Sequence, residues 1–529
     1  MMRPPDYRCL SCEEQTSAVD CWRLARAMTD EQYLFLLDSA DCNTDLGRYS
    51  IVAWMPGWEF TAKDGSACFG RPGDPRPCAG DVLGALGRVM EGFARARLVR
   101  DPRDAEIPPV FTGGAVGFLA YELLHEIETL LPNDAEDLGI ADCHLLFCDL
   151  ALVTDQRDGR SWLLANGWGD SEASAREDCG RKLRIAGAAC AAPREGEWAP
   201  AQQDYVVDRL CAEDLARCDV VAATEPDRYM RLVERAREHI LAGDVFELCL
   251  TQRFDTTFAG SGIDLYDCMR QVNPAPMGSY LRFPEIEVLS CSPERFLRVD
   301  AERWVETRPI KGTRPRGRTR LEDEALAIDL GTAVKDSAEN TMIVDLARND
   351  LGRVCEFGTV EVPSLRAVER YASVFQLVST VRGRLREDVT ISQLLEASFP
   401  GGSMTGAPKV EAMRLINLLE DSRRGVFSGA VGYMNYSGEI DLSIVIRTVI
   451  KRGEALFFHT GGAVTSDSTP ASEYQETLDK ACAIVRAIEL ARARRDADAS
   501  GGKAGACPPP GEGESAPVDV GESVGAMVL

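Results

Sequence analysis

No run in this sequence approaches the roughly eighteen apolar residues that a membrane-spanning helix needs. Its first residues, MMRPPDYRCLSCEE, hold no apolar stretch of the kind found in a secretion signal, so a cytoplasmic protein is expected. Positive charge is scarce. The chain carries 59 Lys and Arg against 84 Asp and Glu, a formal net charge of -25, which argues against non-specific binding to nucleic acid or to an anionic membrane. Four histidines, His125, His144, His239 and His459, show no zinc-ligand spacing. His239 ends an apolar-faced helical stretch, where a helix dipole accounts for it. The 18 cysteines are dispersed and read as reduced thiols; Cys9, Cys12 and Cys21 lack a fourth ligand. There is no G-x-S-x-G elbow. GGAVG at 113–117 lacks the dinucleotide spacing, and Gly401 to Lys409 fails the phosphate-loop spacing.

A chain of 529 residues, 45% apolar and 27% charged, can build a large core or two domains. Residues 1–20 read as an irregular lead-in. Residues 21–185 form a first subdomain: YLFLLD at 33–38 and RYSIVAW at 48–54 read as buried strands, 64–79 as a surface excursion, and 82–96 as a helix. FTGGAVGFLAY at 111–121 reads as a strand whose glycines allow close approach. Residues 186–225 make a connection, and 226–490 a second ordered region. There, Tyr229, Leu232, Val233, Ala236 and Ile240 share one helical face that Gly243 stops. Thr341–Leu351, Leu365–Thr380 and Glu473–Leu490 read as helices, and residues 429–433 and 440–450 as strands. Residues 491–529 end in a Gly- and Pro-rich tail read as disordered.

The richest segment is ETRPIKGTRPRG at 306–317. Lys311 lies among Arg308, Arg314 and Arg316, and neighbouring cations and burial both lower a lysine pKa, as a nucleophilic amine requires. A charged surface loop is the bland alternative. Glu473, Glu476 and Lys480 share one helical face, which solvent-exposed ion pairing would also explain. Glu339 precedes an apolar helical run, where capping would suffice. Carboxylates from separate elements are nevertheless what Mg²⁺ accepts, and such an ion would offset the negative field for an anionic substrate. The loops at 401–409 and at Thr460-Gly461-Gly462-Ala463 offer backbone cradles for a carboxylate, and Arg447 a bidentate fork.

SPERF (292–296), ETRPIKGTRPRG (306–317), AENTMIVDLARNDLGRVC (338–355), FPGGSMTGAPK (399–409), GAVGYMNYSGEIDLSIVIRT (429–448) and SEYQETLDKA (472–481) together resemble the chorismate-utilising enzymes. That family includes anthranilate synthase component I and aminodeoxychorismate synthase component I. The likeness spans about residues 25–490 and implies an α+β, anthranilate synthase component I-like layered fold, with antiparallel sheets sandwiched by helices. Within the family Lys311 discriminates, since anthranilate synthases usually have PIAGT where this chain has PIKGT. The resemblance implies that Lys311 attacks C2 of chorismate as the C4 hydroxyl leaves, and that ammonia then adds at C4 to give 4-amino-4-deoxychorismate. By the same resemblance Glu339 and Glu476 hold Mg²⁺, with Glu473 and Glu294 as nearby acidic residues reached partly through water, Glu473 counted with the metal residues and Glu294 with Lys311 as catalytic. Lys480 and Arg447 contact substrate, and Thr405, Gly461, Gly462 and Ala463 line its pocket. Ser39, in LLDSA, resembles the family's tryptophan-binding element.

Two positions depart from the pattern. Gln376 stands for the usual histidine in HLVST, and Glu247 for the usual glutamine of GD-x-FQ. Isochorismate and salicylate synthases have a lysine around Glu247, which weakens a water-adding reading. No cysteine lies in a glutaminase context, so a separate glutamine amidotransferase subunit is the expected ammonia source, and a separate lyase would be needed to reach 4-aminobenzoate for folate. Two other outcomes stand beside amination at C4: an anthranilate synthase that releases pyruvate, and a non-catalytic relative that only binds chorismate.

Overall fold

A computed structural model describes residues 5–15, 20–40, 46–100, 104–131, 133, 135, 138–191, 210–371 and 374–499. The central feature is the long strand Tyr49–Lys63, which pairs antiparallel with Leu34–Asp38 on one side and with Cys143–Asp155 on the other. Cys143–Asp155 also pairs with Ser161–Gly169 and Gly114–Leu119. These strands follow from dense apolar and β-branched runs, which suit a pleated surface buried on both faces.

Two arms leave this sheet. The first starts where Gly114–Leu119 pairs with Ala430–Asn435, and continues through Ile440–Ile444, Arg295–Val299, Trp304–Thr307 and Val374–Arg384 to Ile310–Pro315. The second starts where Leu34–Asp38 pairs with Met277–Arg282, and continues through Glu287–Ser292, Thr448–Arg452 and Ala455–Val464 to Glu247–Thr257. All these pairings are antiparallel. The connection between the two sequence regions is therefore not a break in the sheet. Strands from beyond residue 226 extend those from before 185, and one hydrophobic cluster joins Trp22 and Trp54 to Tyr266, Tyr280 and Leu478. Each such side chain contributes about 1.5–3 kcal/mol on burial.

Helices cover the faces. Pro226–Ala242 buries Tyr229, Leu232, Val233 and Ala236 and ends at Gly243 with φ +86°, the left-handed cap a glycine supplies without strain. Val334–Gly352 packs on the end of the first arm, and Pro470–Ala499 on the second.

Several sequence expectations change. Residues 7–15 are not an irregular lead-in: Tyr7–Gln15 is a strand that pairs with the whole of Ser161–Gly169. Residues 64–79 carry the hairpin strands Ser66–Arg71 and Asp74–Pro77. Leu365–Thr380 is not helical but spans the strands Glu361–Arg370 and Val374–Arg384, whose β-branched Val374, Val378, Thr380 and Val381 favour the pleated form. The last helix continues to Ala499, so residues 491–499 are ordered rather than part of a disordered tail. Residues 192–209 of the connection and those after 499 lie outside the described residues. Among the described residues no helix is long and apolar enough to cross a membrane, and the described cysteines are free thiols.

Candidate active site

The tips of the two arms meet, and the charged residues gather there. Lys311 lies on the last strand of the first arm. It is buried, and its ammonium donates to Oε1 of Glu247, the first residue of the strand Glu247–Thr257 on the second arm. The arginines beside Lys311 do not depress its pKa as the sequence suggested. Arg314 bridges Asp329 (2.6 Å) and Asp336 (3.0 Å), Arg316 binds Asp323 (2.7 Å) and Arg308 binds Glu369, so each cation is already neutralised. Burial pulls Lys311 down, but the charges of Glu247 and Glu339 outweigh it and leave the ammonium held above its ordinary pKa.

Glu339 is not a capping residue. The helix begins earlier, at Val334, and Glu339 lies inside it, buried and facing the cluster. Burial raises its carboxyl to about 7, although Lys311 draws it down. The helix Pro470–Ala499 supplies the other carboxylates. Glu473 accepts from Ser468 Oγ at 2.6 Å, and burial raises its pKa. Glu476 is raised by burial yet ends below its ordinary value, because Lys480 reaches it at 2.7 Å. Lys335 stands 3.8 Å from Glu339 and 4.0 Å from Glu473. Thus Glu339, Glu473 and Glu476 come from two helices to one place, with ammonium groups between them. Among the described residues no three acidic, histidine or cysteine side chains are arranged with metal-ligand geometry.

Thr460–Ala463 is not a loop. It lies within the strand Ala455–Val464, paired with Cys249–Gln252. Its glycines are required by close approach. A Cβ on Gly461 would lie 2.2 Å from the Leu250 carbonyl, and one on Gly462 would lie 2.8 Å from Glu473 Oε2 and 3.1 Å from Glu476 Oε1. Gly462 is therefore the floor beneath two of the carboxylates. Ala463 pairs with Cys249, and the Gly461 carbonyl accepts from Lys480 at 2.7 Å. In the other glycine segment, Thr405 is buried with its hydroxyl turned to the Gly402 carbonyl at 3.3 Å, while its own carbonyl accepts from Cys249 N–H at 2.9 Å. Thr405 thus anchors the Glu247 strand.

Glu294 is buried at the crossing from Glu287–Ser292 of the second arm to Arg295–Val299 of the first. Burial raises its carboxyl to about 7, against the opposing pull of the Ser403 hydroxyl, the Lys311 charge and the Ile310 N–H. Such a group holds a proton near neutrality and can give it up. Arg447 stands apart from the carboxylates, at the crossing from Ile440–Ile444 to Thr448–Arg452, with φ +51°. Its side chain reaches Asn273 Oδ1 at 3.3 Å, and burial lowers its pKa. No described carboxylate lies within ion-pair distance, so this guanidinium retains capacity for an anion. Ser39 lies elsewhere, in a cavity of about 290 Å³ that also meets Tyr49, Met277, Arg298 and Tyr433. Its hydroxyl donates to the Tyr49 carbonyl at 2.6 Å.

Buried acceptor oxygens around Lys311 that have no donor include Glu247 Oε2, Glu339 Oε1, Glu473 Oε2 and Gln376 Oε1, and Gln252 Oε1 further along the Glu247 strand is another. Buried polar atoms are ordinarily paired, so a group of unpaired acceptors asks for a cation or a donor-bearing ligand. Sequence reasoning treated Glu247 and Gln376 only as departures. Nothing in the local sequence announces that Glu247 meets Lys311, 64 positions away. A separate groove of about 1080 Å³ is lined by Phe246, Ala338 and Ala407, the sequence neighbours of Glu247, Glu339 and Gly406, and by none of the charged residues of the site.

Residues 35–486 match a family described as chorismate binding enzymes. Aminodeoxychorismate synthase of Streptomyces pristinaespiralis is 44% identical over 393 residues, which make up 73% of this chain and 52% of that protein. The chain thus spans about half the length of that relative. Anthranilate synthase component 1 of Acetivibrio thermocellus is 34% identical over 474 residues, 88% of this chain and 92% of that one. The crystal structure of anthranilate synthase component I from Streptococcus pneumoniae superposes with a TM-score of 0.67 at 30% identity, covering 83% of this chain and 92% of that one. It has the same α+β layering of antiparallel sheet and flanking helices.

Proposed function

This chain belongs to the family of chorismate binding enzymes, and from that premise we propose that it aminates chorismate at C4 to give 4-amino-4-deoxychorismate. The observation that carries this reading is Lys311, buried at the meeting of the two arms and surrounded by carboxylates. An amine held over the ring can displace the C4 hydroxyl by attack at C2, with both conjugated ring double bonds shifting through C1, C6 and C5, from C1=C2 to C6=C1 and from C5=C6 to C4=C5. Glu294 gives its proton to the departing oxygen. Ammonia then forms the C4–N bond, the two double bonds shift back and Lys311 leaves as the amine. Pyruvate stays on the ring. Arg447 and Lys480 hold the substrate's carboxylates.

We assign Mg²⁺ to Glu339, Glu473 and Glu476. The fit rests on hard oxygen donors, on the unpaired oxygens of Glu339 and Glu473, and on the floor at Gly462 that lets the carboxylates close in. Mg²⁺ bound there supplies positive charge for a substrate carboxylate, which a chain of net charge -25 otherwise repels. Ammonia comes from a glutamine amidotransferase partner.

A second reading has its own support. Anthranilate synthase component 1 of Acetivibrio thermocellus aligns over 92% of its length at 34% identity, as fully as aminodeoxychorismate synthase component 1 of Bacillus subtilis, which aligns over 90% of its length at 35% identity. Lys311 is also an ammonium ion clamped to Glu247, a state that is not nucleophilic. On that reading the enzyme aminates C2 and expels pyruvate, and Lys311 only binds. The test is incubation of the chain with chorismate, Mg²⁺ and ammonia, with products separated by chromatography and weighed. Aminodeoxychorismate without pyruvate supports the first reading; anthranilate with equimolar pyruvate replaces it by the second.

A further inference from the structure

The clamp on Lys311 raises its own question: where does the ammonium proton go? We propose that Glu247 is the immediate proton acceptor for Lys311, so that the two act as one ion pair that becomes an amine and an acid when the nucleophile is needed. The inference rests on the reading of Lys311 as the nucleophile.

The geometry is specific. Glu247 is 0% exposed and Lys311 8%, so bulk water has little access to either. Glu247 Oε1 accepts from Lys311 Nζ, and Glu247 Oε2 has no donor. The backbone that aims the carboxylate is fixed. Glu247 pairs with Ala407, Phe246 N–H donates to the Ala407 carbonyl at 2.7 Å and Cys249 N–H to the Thr405 carbonyl at 2.9 Å. Gly406, at φ +140°, lets the Glu247 carbonyl approach to where a Cβ would lie only 2.1 Å away. The carboxylate is thus built into the meeting point of the arms.

The other charged or titratable groups facing Lys311 do not serve equally. Glu339, on the helix Val334–Gly352, and Cys249, on the Glu247 strand, act on Lys311 through their fields, and Glu476 in turn feels the Lys311 charge. Glu294 also feels Lys311 and is itself held protonated near neutrality by burial, which suits a donor. Lys480 is a cation and acts on Glu294, Glu473 and Glu476. Among the described residues, Glu247 is the carboxylate within ion-pair distance of Lys311. Two buried carboxylates therefore divide the acid and base work, as sites with divergent environments do.

The step balances. One Nζ–H bond of Lys311 breaks and an O–H bond forms on Glu247, leaving the nitrogen lone pair to form Nζ–C2. The C4–O bond breaks, and the oxygen leaves as water with the Glu294 proton. When ammonia forms C4–N, the Nζ–C2 electrons return to the lysine nitrogen, which recovers its proton from Glu247. Glu294 is reprotonated by the new C4 ammonium. Substrate that shields the pair from water favours the neutral partners, because separated charge is costly where the dielectric is low.

The experiment follows the Lys311–substrate adduct in the full-length protein with chorismate and Mg²⁺ but no ammonia, by rapid quench and intact mass. In the wild type the adduct should form at a rate nearly independent of pH across the neutral to mildly alkaline range. Glu247→Gln should form it about 10²-fold more slowly near neutrality, with a rate that climbs with pH as bulk base takes over, while chorismate affinity stays within a fewfold of wild type. Glu247→Asp should keep the flat profile at a reduced rate, and this guards against a folding defect in the amide variant. A Glu247→Gln protein that matches the wild-type rate and flat profile overturns the proposal. Absence of an adduct in the wild type itself overturns the lysine reading instead, and the proposal with it.

Discussion

The Ser39 cavity and the Lys311 site are both lined by charged groups, yet they differ in what is left unpaired. Around the cavity the carboxylates are matched, Asp38 binding Arg270 at 2.7 Å and Tyr266 at 3.3 Å, Asp155 binding Arg48 at 2.7 Å and Asp441 binding Arg295 at 2.9 Å, while the neutral Ser279 hydroxyl on its wall has no partner. Around Lys311, three carboxylates and an amide each keep a buried oxygen without a donor. Matched buried charges hold an architecture in place. Unmatched acceptors of one kind mark a place where something positive or proton-bearing must still arrive. The contrast separates a pocket maintained by the fold from one maintained for chemistry.

The strongest way to break that contrast is Lys311→Ala. If the site is chemical, removal of the nucleophile should slow amination by roughly 10³-fold or more and abolish the covalent adduct, as read by single-turnover product formation and intact mass. Turnover equal to wild type would reduce Lys311 to a binding charge. Next comes Glu339→Gln, which removes one charged oxygen donor. Binding of Mn²⁺, followed by electron paramagnetic resonance without substrate, should weaken by roughly 10- to 100-fold. Unchanged affinity would remove Glu339 from the metal set.

How much of this was legible in the sequence differs between the two regions in a physical way. The helix Pro226–Ala242 declares itself, because its apolar residues recur at helical spacing and Gly243 closes it. The motifs around Lys311, Glu339 and Glu476 declare which residues matter. What could not be read was pairing between distant strands. Tyr7–Gln15 passes for a lead-in until Ser161–Gly169 lies beside it, and residues 365–380 have enough apolar density to imitate a helix. The same blindness hid the Lys311–Glu247 pair. Counting nearby arginines lowered the expected lysine pKa, whereas carboxylates from other elements neutralise those arginines and one from the opposite arm grips the lysine.

A third test compares buried charge directly. Glu294 has its carboxyl raised from 4.5 to about 7 by burial. A carboxylic acid whose folded pKa is raised stabilises the fold below its unfolded pKa, and that stability is lost as pH rises through the folded value. Glu294→Gln has no charge to bury. Relative to wild type it should therefore gain stability between about pH 4.5 and 7, approaching at most about 3 kcal/mol, with no pH-dependent difference below that window. Thermal unfolding of both proteins in chelator across that range measures it, and parallel curves would show that Glu294 is not held protonated.

The smallest effect should come from the other region. Ser39 spends its hydroxyl on the Tyr49 carbonyl at 2.6 Å, while its N–H donates to Ser50 Oγ at 3.1 Å. Ser39→Ala removes the first bond and keeps the second, so unfolding should become easier by about 1 kcal/mol, the net worth of one hydrogen bond. Amination with ammonia should stay within about twofold, since no charge near Lys311 changes and distant independent sites behave additively. Calorimetry with tryptophan, the ligand of the family element that LLDSA resembles, tests separately whether the cavity walled by Tyr49, Met277 and Tyr433 takes an amino acid. A rate loss beyond tenfold in Ser39→Ala, with binding of chorismate unchanged, would mean that the cavity and the site are energetically one. The strands that join them, Leu34–Asp38 to Met277–Arg282 and onward to the Glu247 strand, would then be the physical link to dissect.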